Sequence, residues 1–135
     1  MANVTSVQII NDGSRNVTLK AEGILDTADL ASATLVDPAV LFGMDNTGTV
    51  KASKLRINRI IYNVEDGLSL NLAWDGATAA RIEQLTGRGD MKFHDFGGIT
   101  NNATTPTGKI LYSTQGWSAG AILSYSLVLE MVKEQ

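Results

Sequence analysis

The chain contains no cysteine, which excludes both a disulfide framework and a thiolate-based zinc site. It has a single histidine, His94, so metal sites built from several histidines are excluded as well. Only 2 prolines occur in 135 residues, against 13 glycines, and this balance favours tight turns made by glycine. No apolar run approaches the roughly 20 residues of a membrane-spanning helix. We therefore expect no membrane partner.

Charge is also sparse. Charged residues make up 19% of the chain and the net charge is −3, whereas soluble domains average about 25% charged residues. The low charge suggests that a partner covers part of the surface. Arg56, Arg59 and Arg81 form no basic stripe, so we expect no nucleic-acid partner. The first five residues lack the charged and apolar regions of a signal peptide, which predicts synthesis in the cytoplasm.

Residues 53–75 carry the clearest pattern in the chain. Large apolar side chains alternate with small or polar ones over residues 68–74, as expected for a strand with one buried face: Leu68, Leu70, Leu72 and Trp74. Residues 53–64 predict another strand, whose apolar phase shifts near Asn58 or Arg59. A β-bulge at that point would explain the shift. With the turn residues Glu65-Asp66-Gly67 between them, we interpret the two strands as a hairpin.

Other segments are assigned from turn signals and periodicity. Residues 1–25 predict an N-terminal hairpin turning at Asp12-Gly13, which could engage a neighbouring subunit. Residues 26–37 fit either a helical turn capped by Asp26 or a strand over 32–36. We predict a strand over 39–44, a short helix over 77–85, a loop-rich region over 86–108 and a last strand over 123–133.

These elements together predict one all-β domain over residues 1–135. Six to eight strands with regular turns and no alternating helices indicate a mainly antiparallel β-sandwich or β-barrel. The short helix near residues 77–85 would be its only helix.

Catalytic and metal-binding patterns are poorly represented. His94 and Asp95 are adjacent, which is poor geometry for a catalytic dyad, and Phe93 and Phe96 flank them as loop anchors. No Gly-x-Ser-x-Gly elbow occurs. Residues 45–48 read Asp-Asn-Thr-Gly without the spacing of a calcium loop. We predict no catalytic residue, no cofactor and no metal ion.

Two short features suggest contacts instead. Arg88-Gly89-Asp90 matches an integrin-binding tripeptide, although we interpret it as a turn in which Arg88 pairs with a carboxylate. Trp117 lies between Gly116 and Ser118, where it either anchors an interface or folds back onto the core. Trp74 ends an alternating apolar stripe and is predicted to be core.

From residue 55 onward, an ordered series of short motifs carries a resemblance to a known family. The motifs are Leu-Arg-Ile-Asn-Arg-Ile at 55–60, Asn-Leu-Ala-Trp-Asp at 71–75, Leu-Thr-Gly-Arg-Gly at 85–89, Gly-Gly-Ile at 97–99 with Asn101 or Asn102, Gly-Lys-Ile-Leu-Tyr-Ser-Thr at 108–114 and Tyr-Ser-Leu-Val-Leu-Glu-Met-Val-Lys at 125–133. In order and spacing they resemble a family of small virion structural proteins of tailed bacteriophages, common among marine and cyanobacterial phages.

The resemblance implies a capsid decoration protein that binds the major capsid protein on the outside of the head, often as a homotrimer. We expect contacts through the N-terminal segment and through residues 86–108 with Trp117 nearby. The candidate contact residues are Ala2, Asn3, Val4, Thr5, Arg88, Asp90, Phe93, Phe96, Asn101, Asn102 and Trp117. Alternatives are a tail-tube, connector or baseplate component, and a carbohydrate-binding module lined by Trp117, Tyr112 and Asp90.

Overall fold

The computed structural model describes residues 3–45 and 49–134, and most of them lie in nine β-strands. Two short 3₁₀ helices, Pro38–Val40 and His94–Phe96, lie in the connections. The strands, in chain order, are β1 (Val4–Asp12), β2 (Asn16–Leu25), β3 (Ala33–Val36), β4 (Lys54–Val64), β5 (Ser69–Thr78), β6 (Ala80–Leu85), β7 (Arg88–Lys92), β8 (Thr104–Gln115) and β9 (Leu123–Glu134).

The strands form two sheets whose pairs are all antiparallel. The five-stranded sheet has the order β1-β2-β9-β4-β7, and the four-stranded sheet has the order β3-β8-β5-β6. Their inner faces contribute to one hydrophobic core. The predicted all-β, mainly antiparallel fold is confirmed, in the form of a sandwich.

The connectivity is that of a jelly roll with one added strand. From β2 onward the chain crosses between the sheets at every connection except β5 to β6, which pair directly. The order β2-β9-β4-β7 facing β3-β8-β5-β6 is the eight-stranded jelly-roll order. β1 extends the five-stranded sheet beyond β2, so it is an extra edge strand.

The crossings gather the loops at two opposite ends of the sandwich. One end, here called the Trp117 end, consists of residues 26–32, 65–68, 86–87 and 116–122. The Trp117 backbone N–H donates to Asp29 Oδ1 at 3.0 Å across this end. The other, the Lys133 end, consists of residues 13–15, 37–45, 49–53 and 93–103, where Lys133 Nζ donates to the Phe42 carbonyl.

The core confirms the alternating stripes seen in the sequence. Leu70, Leu72 and Trp74 of β5 are buried, and the inward side chains of β9 pack against the same cluster. Those of β9 are Tyr125, Leu127, Leu129 and Met131. The predicted bulge in β4 is confirmed, because its register with β9 shifts between Ile57 and Arg59. The ambiguous segment 26–37 contains strand β3.

The predicted hairpin over residues 53–75 is wrong, although both of its strands exist. β4 pairs with β7 and β9, whereas β5 pairs with β6 and β8. The turn at residues 65–68 therefore passes the chain from one sheet to the other. Alternation and a turn signal show that the chain reverses, but they do not show which strand takes up the backbone hydrogen bonds.

The predicted helix over residues 77–85 is also wrong, because the end of β5 and all of β6 occupy it. A register shift opposite Leu72 and Ala73 leaves Ile82 without a partner. This bulge sets Ile82 and Leu85 three positions apart, a spacing that also occurs on one face of a helix. Pairing with β5 overrides the helix propensity of the alanines.

Two further predictions are corrected. Residues 38–40 form a 3₁₀ helix rather than the predicted strand over 39–44, because the Asp37 carboxylate caps it through the Ala39 N–H at 3.0 Å. Residues 86–108 contain β7 and the start of β8, so they are less loop-rich than expected. The predictions for Ala2, for residues 46–48 and for the His94 side chain lie outside the described part of the chain.

Candidate interaction surfaces

β1 is exposed along almost its whole length. Its register with β2 places Thr5, Val7 and Ile9 on the inner side, opposite Gly23, Ala21 and Leu19. The residues of β2 are buried there, yet Val7 and Ile9 are each 41% exposed. The facing sheet has one strand fewer, so β1 overhangs it and keeps an uncovered apolar stripe.

Over residues 4–9, the free edge of β1 has none of the usual protection against strand pairing. No described strand pairs with that edge, and residues 4–11 contain no charged side chain and no proline. Natural edge strands are usually short, charged, bulged or covered. The bulge of β1, between Ile9 and Asn11, lies near its C-terminal end and leaves residues 4–9 regular.

Asn3 fixes the start of β1 to the Trp117 end. Its side-chain amide donates to the Ala28 carbonyl at 3.0 Å, while Oδ1 accepts the N–H groups of Asp26 at 2.8 Å and Thr27 at 3.0 Å. Both the nitrogen and the oxygen of the side-chain amide are hydrogen-bonded within the chain, so Asn3 fixes the start of β1 to the loop that follows β2. Of the predicted N-terminal contacts that are described, Val4 and Thr5 remain exposed.

Lys133 fixes the other end of β1. Its side chain is 0% exposed, and Nζ donates to Asp12 Oδ1 at 2.6 Å and to the carbonyls of Gly13 and Phe42. Asp12 Oδ2 in turn accepts the Phe42 N–H at 2.8 Å. This clasp joins β1, β9 and the loop before β4. β1 is therefore fixed at both ends by side-chain contacts, in addition to its pairing with β2, while its second edge stays unpaired between them.

A polar trough crosses the outer face of the five-stranded sheet near the Trp117 end. One row of paired residues, with one from each strand, runs along its floor: Ser6, Glu22, Ser126, Asn63 and Arg88. Ile24, Glu65 and Asp66 are also in its lining, and the concavity measures about 740 Å³. Ser126, on the central strand β9, is small and leaves room between the longer side chains on either side.

Arg59, at the β4 bulge, holds the aspartate of the Arg88-Gly89-Asp90 tripeptide. Its Nε and Nη2 donate to the two oxygens of Asp90 at 2.9 and 2.6 Å, and Nη1 donates to Glu130 at 3.3 Å. The Arg59 hydrogen bonds lower the pKa of Asp90. The tripeptide lies on a strand, so the interpretation as a turn is wrong, and its own carboxylate pairs with Arg59.

The predicted contact region of residues 86–108 with Trp117 does not form one surface. β8 spans 12 residues, roughly 36 to 40 Å, between the loop that carries Phe96 and the loop that carries Trp117. Phe96 is 82% exposed at the Lys133 end, where Asn102 is also exposed. Phe93 packs against the core, and Asn101 Oδ1 accepts the Ala103 N–H at 3.0 Å.

Trp117 folds back at its own end. It packs partly buried against the core, and its indole N–H donates to the Ala121 carbonyl at 2.9 Å. Tyr112 is buried inside the sandwich, whereas Asp90 lies on the exposed side of β7. The three residues of the predicted sugar site, Trp117, Tyr112 and Asp90, therefore do not share a surface.

Sequence reasoning missed other exposed apolar groups at the Lys133 end. Val40, Phe42 and Val50 are exposed there in addition to Phe96. Val40 and Phe42 fall within the strand predicted over 39–44, so their exposure was not expected. Their position in the connection between β3 and β4 keeps them out of either sheet.

Within the described residues, no group of three or more acidic, histidine or cysteine side chains is placed to hold a metal ion. The described part of the chain also has no helix of the length and apolarity needed to cross a membrane. No protein-family model matches the chain, and a search of curated proteins finds no significant match.

Proposed function

We propose that this chain is a structural virion protein that decorates the outside of a bacteriophage capsid and binds the major capsid protein. The observation that carries the proposal is β1, an uncharged edge strand held at both ends and open along its middle. The jelly roll adds support by analogy of fold alone, since viral capsid proteins use it among other classes.

Strand addition is the mode of binding that such an edge supports. A partner strand would take up the free N–H and C=O groups of β1, and the apolar stripe of Val7 and Ile9 would lose part of its contact with water. Fixing β1 in advance through Asn3 and Lys133 lowers the ordering cost of binding. Many copies on a shell would then stabilise it through repeated modest contacts.

Cryo-EM of virus particles that contain this protein tests the proposal. We expect density for the sandwich on the outer surface of the head, and heads assembled without the protein should release DNA at a lower temperature. The resemblance implies a homotrimer, and the same density would count the copies in each assembly. Density only in the tail would overturn the proposal in favour of a tail-tube, connector or baseplate role.

The polar trough favours carbohydrate binding as a second candidate function. Its floor offers hydroxyl, amide, carboxylate and guanidinium groups in one row, which suits a ligand with many hydroxyl groups. A glycan array with the wild type and with Ser126→Trp, which fills the centre of the trough, tests this role. We expect binding by the wild type alone. The absence of wild-type binding above background would remove the carbohydrate role and leave the virion role standing.

A further inference from the structure

We propose that β1 pairs antiparallel with β1 of a second copy of this chain, about a two-fold axis at Val7, to give a dimer with a continuous ten-stranded sheet. The inference concerns the same free edge as the proposed function: it assigns that edge to a second copy of this chain, so the capsid protein would bind another surface of the dimer. It rests on the pattern of β1, on the chemistry of the other sheet edges and on the charges beside β1.

The sequence of β1 is symmetric in polarity about Val7. Over the regular residues 5–9, antiparallel pairing centred there sets Val7 against Val7, Ser6 against Gln8 and Thr5 against Ile9. Polar residues thus meet polar residues, and β-branched or apolar residues meet their like. Such cross-strand pairs stabilise a sheet, and a two-fold contact requires a surface that is complementary to itself.

The inner face gains most from this pairing. Val7 and Ile9, each 41% exposed in the single chain, would lie beside Val7 and Thr5 of the second copy. The inward side chains of the two overhanging strands would then shield each other laterally, in the space that neither four-stranded sheet reaches. Burial of this apolar stripe supplies the hydrophobic part of the association.

The other three sheet edges are poorer partners for β1. β3 has only 4 residues, β7 has 5 and carries Arg88, Asp90 and Lys92, and β6 has 6 and carries Arg81 and Glu83. β1 has 9 residues and no charge before Asp12. A closed three-fold ring built through β1 would require it to meet one of these edges, all of them short and two of them charged, so the edges favour a dimer over a trimer.

The charges beside β1 also agree with this register. On the outer face Glu22 lies next to Ser6 and Lys20 lies next to Gln8. In the dimer each row across the interface would run from Glu22 of one copy to Lys20 of the other, roughly 14 Å apart over three strand spacings. The attraction is small at that distance, but the register avoids like charges in a row.

Native mass spectrometry of the full chain tests the proposal. We expect twice the mass of one chain for the wild type and for Val40→Lys, a control at an exposed site of the Lys133 end. Val7→Lys should give a single-chain mass, since two ammonium groups would meet at the axis. An equimolar mixture of Val7→Lys and Val7→Glu should restore the dimer. Circular dichroism should show that all these variants fold.

Cross-linking gives a second, independent measurement. Directly opposite residues in an antiparallel pair have Cα atoms about 4.5 to 5.5 Å apart, within the range of a disulfide. Because the chain has no cysteine, Val7→Cys should form a reducible dimer on mild oxidation, whereas Val4→Cys should not. A single-chain mass at every concentration with no cross-link, or a trimer that Val7→Lys leaves intact, would overturn the two-fold contact. Neither outcome would bear on where the protein sits in a virion.

Discussion

At the scale of single residues, Lys133 is the most constrained charge in the described structure. Its ammonium is fully buried with one carboxylate and two carbonyls around it. Such a group gives little net stability compared with an apolar replacement of the whole network, but losing one partner leaves the other buried and uncompensated. The clasp fixes the end of β1, so it also prepares the proposed interface.

We expect Lys133→Met to lower the free energy of unfolding by about 3–5 kcal/mol, because Asp12 and two carbonyls lose their donor. Lys20→Met is the matched control, since its pair with Glu22 at 3.7 Å is exposed and should contribute less than about 1 kcal/mol. Urea unfolding of both variants gives the comparison. Similar losses in the two variants would mean that the clasp is not a buried network.

Tyr125 presents a different buried polar group. Its ring lies across Gly23 of β2, where an added Cβ would approach the hydroxyl to 2.6 Å, so only glycine leaves room. The hydroxyl is buried with no partner of hydrogen-bond geometry in the described residues. Burial raises the pKa of Tyr125 above its ordinary value of 10.0, and burial raises the pKa of Tyr112 in the same direction.

A pH dependence follows from the raised pKa of Tyr125. Below pH 10 both the folded and unfolded chains keep the phenol protonated; above it the unfolded chain loses a proton that the folded chain retains, so stability falls as pH rises. We expect Tyr125→Phe to reduce this slope by up to about 1.4 kcal/mol per pH unit. At neutral pH the variant should stay within about 1 kcal/mol of the wild type or exceed it, because an unpaired hydroxyl is removed.

Denaturant unfolding of the two proteins at pH 7, 9, 10 and 11 measures the effect. Parallel curves above pH 10 would contradict the assignment of the slope to Tyr125. A large loss for Tyr125→Phe at neutral pH would instead mean that the hydroxyl makes a hydrogen bond that the fold needs.

At the scale of elements, β5 shows how a sequence pattern becomes packing. Leu70 lies at 0% exposure on the inner face, between strands β6 and β8. We expect Leu70→Ala to cost about 2–5 kcal/mol through lost burial and the cavity it leaves. Ser69→Ala, on the opposite face of the same strand, should change stability by less than about 0.5 kcal/mol. A loss below that value for Leu70→Ala in denaturant melts would show that the inner face of β5 has been assigned wrongly.

Local pattern predicted the strands well and their partners poorly. The alternation in β5 and β9 and the phase shift in β4 are properties of a few neighbouring residues, and the structure contains all of them. That β4 and β5 belong to different sheets depends on distant partners. The paired residues of β9 lie 61 to 80 positions after those of β4, and the paired residues of β8 lie 26 to 46 positions after those of β5. The helix predicted over residues 77–85 is wrong for the same reason, because only the pairing with β5 shows that β6 is a strand.

The candidate contact residues show the same limit of local sequence pattern. Sequence alone indicated the N-terminal strand, because β1 has a turn after it and apolar residues within it. It could not show that Val7 and Ile9 stay exposed, since that depends on the facing sheet having one strand fewer. Likewise, Trp117 and residues 93–103 were grouped by their loop character, and only the course of β8 separates them.

At the scale of the whole molecule, distant parts of the chain make the central pairings. Asn16 pairs with Val132 and Lys54 pairs with Glu134, so the five-stranded sheet closes only when the C-terminal strand arrives. β9 lies between β2 and β4 in the middle of that sheet, whereas β1 lies at its edge. Because loop closure must precede these contacts, we expect folding on the millisecond-to-second scale typical of such β topologies.

The two positions in the sheet predict opposite effects of truncation. Deleting residues 123–135 removes β9 with its buried Tyr125, Leu127 and Leu129, and it leaves β2 and β4 without their shared partner. We expect this variant to show no cooperative unfolding transition. Deleting residues 1–9 removes only the exposed part of β1 and keeps Asp12 for the Lys133 clasp, so this variant should still unfold cooperatively. Thermal melts by circular dichroism test both, and a cooperative melt of the first variant would show that the sandwich does not need its central strand.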